Sequence, residues 1–278
     1  MKVSDRIKKI LLNALLWIYV IVCLYPLLYL LFFSFKNNDE IFFSNPLGFP
    51  DPLRISNYVH AVTQFNILVF FKNSMIVTLS SIILVLILSL TFSYAVARLS
   101  WKGNRVANNY LTLGLFIPTQ VLLIPLAVFV RSLHVSNTYL ALILPYVAFN
   151  LAFSSMIFYG SFRTIPFEME ESAYMDGASI YRTFVQIIVP LIRPAIAMVI
   201  VFAFLNIWNE YPVAMILITK ESVKTLPLGL LYFTGQFSTD WGPMGAAMVI
   251  SSIPMIVVYL LLSNQLEKSL SMGAAVKG

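Results

Sequence analysis

Long, predominantly apolar runs of residues constrain this chain more than any other feature of its sequence. Six such runs, nineteen to twenty-six residues long, occur in the 278-residue chain. A bilayer core of about 30 Å is crossed by about 20 helical residues, so each run has the length of a transmembrane helix. The sequence therefore predicts an all-α membrane protein with six transmembrane helices, at residues 10–35, 74–97, 110–130, 138–159, 195–219 and 244–262.

The charge content supports a membrane protein and excludes other classes. Only 11% of the residues are charged, against about 25% in a soluble domain. The formal charge of +6 comes from basic residues at helix ends, without the basic stripe and interleaved aromatics of a nucleic-acid-binding protein. Cys23 is the only cysteine, so an intramolecular disulfide is excluded. The first apolar run continues to Phe35, which is too long for a signal peptide and indicates an uncleaved first span.

The distribution of Lys and Arg predicts the orientation. With the N-terminus in the cytoplasm, twelve of the eighteen basic residues fall in cytoplasmic segments and six in outer ones. Cytoplasmic loops carry the excess of Lys and Arg, so both termini are predicted to be cytoplasmic. The predicted parts are an N-terminal helix with its outer loop (1–66), a transmembrane core (67–263) and a cytoplasmic tail (264–278).

The segment 166–190 is polar and acidic in a chain that is otherwise apolar. Pro166 is favourable at a helix start, and the acidic residues behind it suit the positive end of the helix dipole. Gly177 is the usual residue just past a helix end, and a second helical segment is expected from Ser179 to Pro190. Ala173 and Gly177 are four apart and predict a flat face for insertion into a partner. The alternative is that the acids only solvate a loop.

A spaced motif within this segment resembles a known signature. Glu171-Ser172-Ala173 is followed after three residues by Gly177, then after nine by Ile187, with Val189-Pro190 one residue beyond. This spacing resembles the EAA signature of ABC-importer permeases, with Ser172 in place of Ala and Val189 in place of Leu. Further short motifs resemble the carbohydrate-uptake, binding-protein-dependent (MalG-like) permeases; they are Asn57-Tyr58, Asn73-Ser74, 204–212, Asp240-Trp241-Gly242 and 273–278.

The resemblance implies a type I ABC importer permease fold and a set of partners. These are a second, MalF-like permease subunit, a dimer of ATPase subunits and an extracytoplasmic solute-binding protein that delivers a sugar, within membrane lipid. ATP and Mg²⁺ would be bound by the ATPase subunits, and no cofactor by this chain. The segment 166–186 would be the coupling helix, the tail 276–278 would also reach the ATPases, and the loop 220–243 would probe the binding protein. The expected coupling residues are Glu168, Glu170, Glu171, Ala173, Asp176, Gly177 and Arg182.

Polar residues interrupt the predicted fifth span. Asn206 and Glu210 are four apart and share a helix face, and Pro212 is expected to kink or break the helix there. A carboxylate inside a membrane is costly and should face protein or water. Amides, a carboxylate and aromatic rings suit sugar recognition, while the alternative is packing against a sister subunit. The candidate substrate-pathway residues are Asn206, Trp208, Asn209, Glu210 and Tyr211.

Features absent from the sequence define the remaining alternatives. No Gly-x-x-x-x-Gly-Lys-[Ser/Thr] loop occurs, so ATP hydrolysis by that route is excluded and the chain is predicted to be a non-catalytic transport subunit. His60 and His134 are isolated and are expected at the surface, with no metal site. An ion-coupled secondary transporter would show inverted repeats and more intramembrane charges. That class, a membrane scaffold, and an importer of a polyol or glycerol-phosphate remain the alternatives to an oligosaccharide importer.

Overall fold

The computed structural model describes residues 3–235 and 239–275, and nearly all of them are helical or in short turns. Four helices are long and apolar enough to cross a membrane, and two bent helix pairs each have the composition of a further span. Counting each pair as one span gives the six that the sequence predicts. The four continuous helices are α1 (Val3–Phe33), α3 (Ile67–Arg98), α6 (Leu140–Arg163) and α13 (Trp241–Ala275).

The predicted third span is broken rather than continuous. It consists of α4 (Asn104–Leu113), α5 (Leu123–Ser132) and 3₁₀ turns at Gly114–Phe116 and Thr119–Leu122. Pro118 separates the two halves, and Ile117 before it is extended, with φ −93° and ψ 112°. Proline disfavours the helical conformation of the residue that precedes it. The two halves therefore meet at 92°, a break that the sequence analysis did not predict.

The predicted fifth span, 195–219, is interrupted near Pro212, as the sequence predicts. Its main part, α10 (Arg193–Trp208), meets the segment Ile180–Leu191 at 76°. Because Pro212 lacks the N–H that a helix interior needs, the chain leaves the helix after Trp208 and starts a new one, α11 (Pro212–Leu217). Glu210 therefore lies in this break and not in the middle of a helix. The predicted effect of Pro212 is confirmed.

The chain divides into two compact units. The first comprises residues 1–68 and 229–253, with α1, α2 (Ser56–Thr63) and the first part of α13. Within it, the Asn57 amide donates to the carbonyls of Ser34 and Lys36, both at 2.9 Å. A Cβ at Gly242 would lie 2.3 Å from the Lys36 carbonyl oxygen, so only glycine fits there. Two of the motifs that carry the family resemblance, Asn57 and Gly242, are thus structural in this unit.

The second unit comprises residues 69–228 and 254–278 and contains both predicted site clusters. Its interior includes the buried aromatic residues Phe158 and Phe162 of α6. The remaining short helices of this part of the chain are α7 (Glu168–Met175), α8 (Ile180–Thr183) and α9 (Val189–Leu191), with a π-helical turn at Phe184–Ile188. A last short helix, α12 (Leu226–Gly229), follows the outer loop. The three-part division at residues 66 and 263 stays a prediction.

Candidate functional site

The predicted acidic helix forms as α7, between the fourth and fifth spans. Pro166 precedes its first turn, and the Pro166 and Phe167 carbonyls accept the first hydrogen bonds of the helix. Three glutamates occupy that turn, where the positive end of the helix dipole stabilises carboxylates. The predicted helix is therefore confirmed, and its local sequence explains why it begins where it does.

The helix ends in a Schellman turn centred on Gly177. The Ala178 N–H donates to the Ala173 carbonyl and the Gly177 N–H to the Tyr174 carbonyl, both at 2.9 Å. This pair of bonds is the pattern that closes a helix through a left-handed residue. Gly177 has φ +79°, a conformation that costs little only without a side chain. The predicted end at Gly177 is confirmed.

A buried ion pair fixes α7 to the end of α3. Arg98 Nε lies 2.6 Å from Glu170 Oε1, and Arg98 Nη2 donates to the Ile165 carbonyl at 2.8 Å. The Tyr94 hydroxyl donates to the second oxygen of the Glu170 carboxylate at 3.3 Å. The Arg98 guanidinium also lies 4.1 Å from the centre of the Phe167 ring. Glu170 is thus the anchor of the helix and not part of its exposed surface.

The burial pattern corrects one part of the sequence analysis. Ala173 is only 5% exposed and faces the interior of the chain, so the predicted flat face shared by Ala173 and Gly177 is wrong. Ala173 comes three residues after Glu170 and therefore lies on the same face of the helix, so it is buried together with Glu170. The other predicted coupling residues are exposed to solvent; they are Glu168, Glu171, Asp176, Gly177 and Arg182.

The second predicted cluster lies at the break between α10 and α11. The Glu210 carboxylate accepts the backbone N–H groups of Val213 (2.7 Å) and Ala214 (3.1 Å). It also accepts the Tyr146 hydroxyl of α6 at 2.5 Å. The first N–H groups of a helix have no partner within it, and this carboxylate supplies one for α11. Glu210 therefore caps α11 and ties it to α6.

The other residues of this cluster face in different directions. Trp208 is 3% exposed and stacks on Phe204 with ring centres 5.3 Å apart. Asn206 and Asn209 are exposed, and the Asn209 amide donates to the Leu205 carbonyl at 2.9 Å. Tyr211 is half-buried. The structure thus leaves two amides accessible and places the indole ring in the interior; the substrate-pathway role of all five residues stays a prediction.

On the side predicted to be extracytoplasmic, the segment after α11 is ordered by three polar side chains. The Asn73 amide donates to the carbonyls of Ser222 (3.0 Å) and Lys224 (2.8 Å). Ser74 Oγ accepts the Leu226 N–H at 2.8 Å. The Asn137 side-chain oxygen accepts the backbone N–H groups of Thr219 and Lys220 at 2.7 and 2.9 Å. The prediction of a structured outer loop is confirmed for residues 219–226.

Residues 89–272 match a protein family described as binding-protein-dependent transport system inner membrane component. The chain belongs to this family. The permease is therefore a multi-pass protein of the inner membrane and a transport subunit, and the predicted family is confirmed. Both of the clusters described above, at α7 and at the α10–α11 break, lie inside the matched residues.

Characterised relatives resemble the permease over nearly its whole length. A diacetylchitobiose uptake system permease protein of Streptomyces coelicolor is 34% identical over 272 residues, covering 97% of this chain and 90% of the relative. A trehalose/maltose transport system permease protein of Thermococcus litoralis is 32% identical over 275 residues, covering 98% of each. A multiple sugar-binding transport system permease protein of Streptococcus mutans is 28% identical and covers 99% of each.

A solved structure confirms the fold. A chain of a bacterial ABC transporter involved in importing the acidic polysaccharide alginate superimposes with a TM-score of 0.81 and 23% identity. The superposition covers 95% of the permease and 98% of that chain. The type I ABC importer permease fold is therefore that of this chain, and the cytoplasmic position of both termini stays a prediction.

Sequence reasoning missed several residues at these sites. Nothing local in the sequence marks Arg98 as a site residue, because its partner Glu170 is 72 residues away. Tyr146, the partner of Glu210, was missed for the same reason. Met175 and Tyr181, which are 88% and 80% exposed beside the acidic face, could have been found as apolar residues in a polar segment. The predicted contact of 276–278 lies outside the described residues.

Proposed function

We propose that this permease is one of two membrane subunits of an ATP-driven importer. The importer carries a sugar, and the sugar is an oligosaccharide. ATP hydrolysis, with its Mg²⁺, would belong to a pair of separate ATPase subunits in the cytoplasm. A solute-binding protein would deliver the sugar on the outer side. The relatives that are named for diacetylchitobiose and for trehalose/maltose support an oligosaccharide over a polyol or glycerol-phosphate.

The proposal rests on one observation: α7 is an exposed acidic helix that a buried ion pair attaches to α3. The ion pair of Arg98 and Glu170 holds α7 from beneath, with side chains 1% and 6% exposed. Glu171 and Gly177 remain on the outer surface of the segment, and no atom lies within 4 Å of a Cβ built at Gly177. A helix that is held firmly and exposes charge is suited to transmit force to a second protein, and ATPase subunits are the partner that the EAA signature implies.

The sugar path is supported by the polar break at α10–α11. Irregular backbone at membrane depth is tolerated where it lines a cavity or is buried in protein. Here the break leaves Asn206 and Asn209 exposed, and each of these amides has hydrogen-bonding groups to offer. Sugar hydroxyls both donate and accept hydrogen bonds, so amides are suitable partners. A second membrane subunit would complete the path opposite these residues.

The coupling proposal is tested by two substitutions at Gly177. Gly177→Ala adds only the strain of a side chain at positive φ, which is about 1 kcal/mol. Gly177→Leu adds the same strain and a side chain that projects into open space, where a docked ATPase would be. We expect the Leu variant to insert and assemble but to lose sugar uptake while ATP hydrolysis continues, whereas the Ala variant keeps most uptake.

The measurements are uptake of a panel of labelled sugars and ATPase activity of the purified complex. Glu171→Lys, which reverses an exposed charge, is expected to behave like Gly177→Leu. Equal uptake by the Leu and Ala variants would refute docking at Gly177. Uptake of labelled glycerol-phosphate or a polyol, with no sugar transported by the wild type, would refute the sugar assignment alone.

A further inference from the structure

A polar cavity, beside the start of α7 and lined by no residue of the α10–α11 break, opens at the cytoplasmic end of the membrane-spanning helices. Its volume is about 890 Å³, and it lies between the connection from α3 to α4 and the last turns of α6. Polar and aromatic side chains form its walls; they are Arg98, Trp101, Arg105, Asn108, Tyr159 and Arg163. We call it the basic cleft.

The basic cleft carries positive charge that nothing in its walls neutralises. No acidic residue lines it, and three arginines do. Arg98 is paired with Glu170. Arg163 contacts only the neutral Tyr159, whose hydroxyl accepts a hydrogen bond from Nη1 at 3.3 Å and whose ring centre lies 5.7 Å from the guanidinium carbon. Arg105 forms no ion pair or hydrogen bond within residues 8–235 and 239–268. Two uncompensated charges therefore face one cavity.

This arrangement suits an anion with several oxygens. A guanidinium presents donors in a planar fork that matches a phosphate. The Asn108 side-chain amide in the same wall is a further donor. A cavity with two guanidinium groups that have no acidic partner, an amide and no carboxylate therefore favours a phosphate group.

The surroundings of the basic cleft indicate a lipid as the source of the phosphate. Trp101 is 44% exposed beside it, and tryptophan is enriched where a membrane meets water. The helix α4, which begins at the cleft, buries none of its residues. Val106, Tyr110 and Leu113 form an apolar stripe along it and are 71%, 79% and 59% exposed. Such a stripe is a surface for an acyl chain, which a free phosphate would not use.

We infer that the basic cleft binds the headgroup phosphate of an anionic phospholipid from the cytoplasmic leaflet, with an acyl chain along α4. Arg105 and Arg163 bind the phosphate, and Trp101 lies at the level of the headgroup. Basic pockets between spans on the cytoplasmic side bind anionic headgroups by this combination of charge and depth. The site does not depend on which sugar is carried.

The test uses the purified, delipidated complex in detergent and native mass spectrometry with added phosphatidylglycerol or phosphatidylcholine. Each arginine near the surface contributes roughly fivefold to anionic-lipid affinity. The wild type should therefore prefer phosphatidylglycerol on the order of tenfold or more, and the double variant Arg105→Gln/Arg163→Gln should lose that preference. Arg105→Lys/Arg163→Lys should keep most of it. Arg193→Gln is the matched control, because Arg193 is exposed and does not line the cleft.

Several outcomes would overturn the inference. One is an equal preference for phosphatidylglycerol in the wild type and the Gln/Gln variant. Another is that Arg193→Gln loses the preference for phosphatidylglycerol as fully as the Arg105→Gln/Arg163→Gln variant does. That result would show a general effect of positive charge and no specific site. Displacement of the lipid by an equal concentration of inorganic phosphate would assign the cleft to a free anion. Failure of the assembled wild-type complex to retain phosphatidylglycerol would mean that a partner subunit covers the cleft.

Discussion

Arg98→Ala is expected to release α7 from the rest of the permease without unfolding the membrane-spanning helices. The substitution removes the ion pair with Glu170 and the hydrogen bond to the Ile165 carbonyl. It also removes the guanidinium that lies over the Phe167 ring. All three contacts join the end of α3 to the segment at the start of α7, so they fail together.

The magnitude follows from the burial of the pair. Both side chains are almost fully removed from water, with 1% of Arg98 and 6% of Glu170 exposed. Removing one partner of a buried pair costs about 3–5 kcal/mol, because it leaves the other charge buried and unpaired. The loss should be local to α7. Arg193→Ala, which removes an exposed arginine, should change stability by less than about 0.5 kcal/mol.

Hydrogen exchange of the α7 amides measures this loss. A local cost of about 3 kcal/mol corresponds to exchange that is faster by more than about a hundredfold. The amides of α3 and α6 should be unaffected in the same sample. Glu170→Gln, which keeps an acceptor for Arg98 but not the charge, should give a smaller increase. If the amides of residues 168–175 exchange at an unchanged rate in folded Arg98→Ala protein, the claim that the Arg98–Glu170 ion pair fixes α7 to α3 is refuted.

Three further perturbations test other parts of the chain. Tyr146→Phe removes the hydroxyl that donates to Glu210; thermal unfolding in detergent should show a loss of about 1.5–3 kcal/mol, and no loss would contradict the tie between Glu210 and α6. Asn137 has φ +58° and holds the backbone of Thr219 and Lys220. Asn137→Gly should therefore lose only the hydrogen bonds, while Asn137→Ala should lose about 1 kcal/mol more from strain; equal melting temperatures would contradict this. Burial raises the pKa of the Glu40 carboxyl, but hydrogen bonds from Arg54 and the Asn37 backbone outweigh it and leave the pKa below its ordinary value. The contribution of Glu40 is therefore present above the unfolded pKa of about 4.3 and is lost as the pH falls through the lower folded value. The stability difference between the wild type and Glu40→Gln should shrink below about pH 4, and a constant difference would contradict it.

Local chemistry made α7 predictable, and distant partners made its anchor unpredictable. Pro166, the glutamates and Gly177 act within a few residues of one another, so their sequence spacing already specifies where the helix begins and ends. The burial of Glu170 depends on Arg98, which comes from another helix. Three acids that look equivalent in the sequence are therefore divided by tertiary structure into one anchor and two exposed charges.

The breaks in the spans show a second limit of the sequence. Proline lies inside the continuous helices α1, α6 and α13, at Pro26, Pro145 and Pro254. Pro118 and Pro212 instead stand where helices end or begin. Neighbouring helices can supply partners for the backbone groups that a proline frees. Whether a proline breaks a span therefore depends on what surrounds it, and the break at Pro212 could be predicted from the sequence while the break at Pro118 could not.

The break at Pro212 and the acid at Glu210 are best understood as one structural device. A break exposes the first N–H groups of the new helix, and an unpaired carboxylate in a span is costly. Each resolves the other, since the Glu210 carboxylate accepts two of those N–H groups as well as the Tyr146 hydroxyl. The Glu210 carboxylate is therefore hydrogen-bonded mainly to groups of the protein itself, which favours a structural role for Glu210. The exposed amides of Asn206 and Asn209 are the groups of this cluster that remain for a passing sugar. Asn209→Ala should therefore reduce sugar uptake in an intact complex, whereas Glu210→Ala should first reduce assembly.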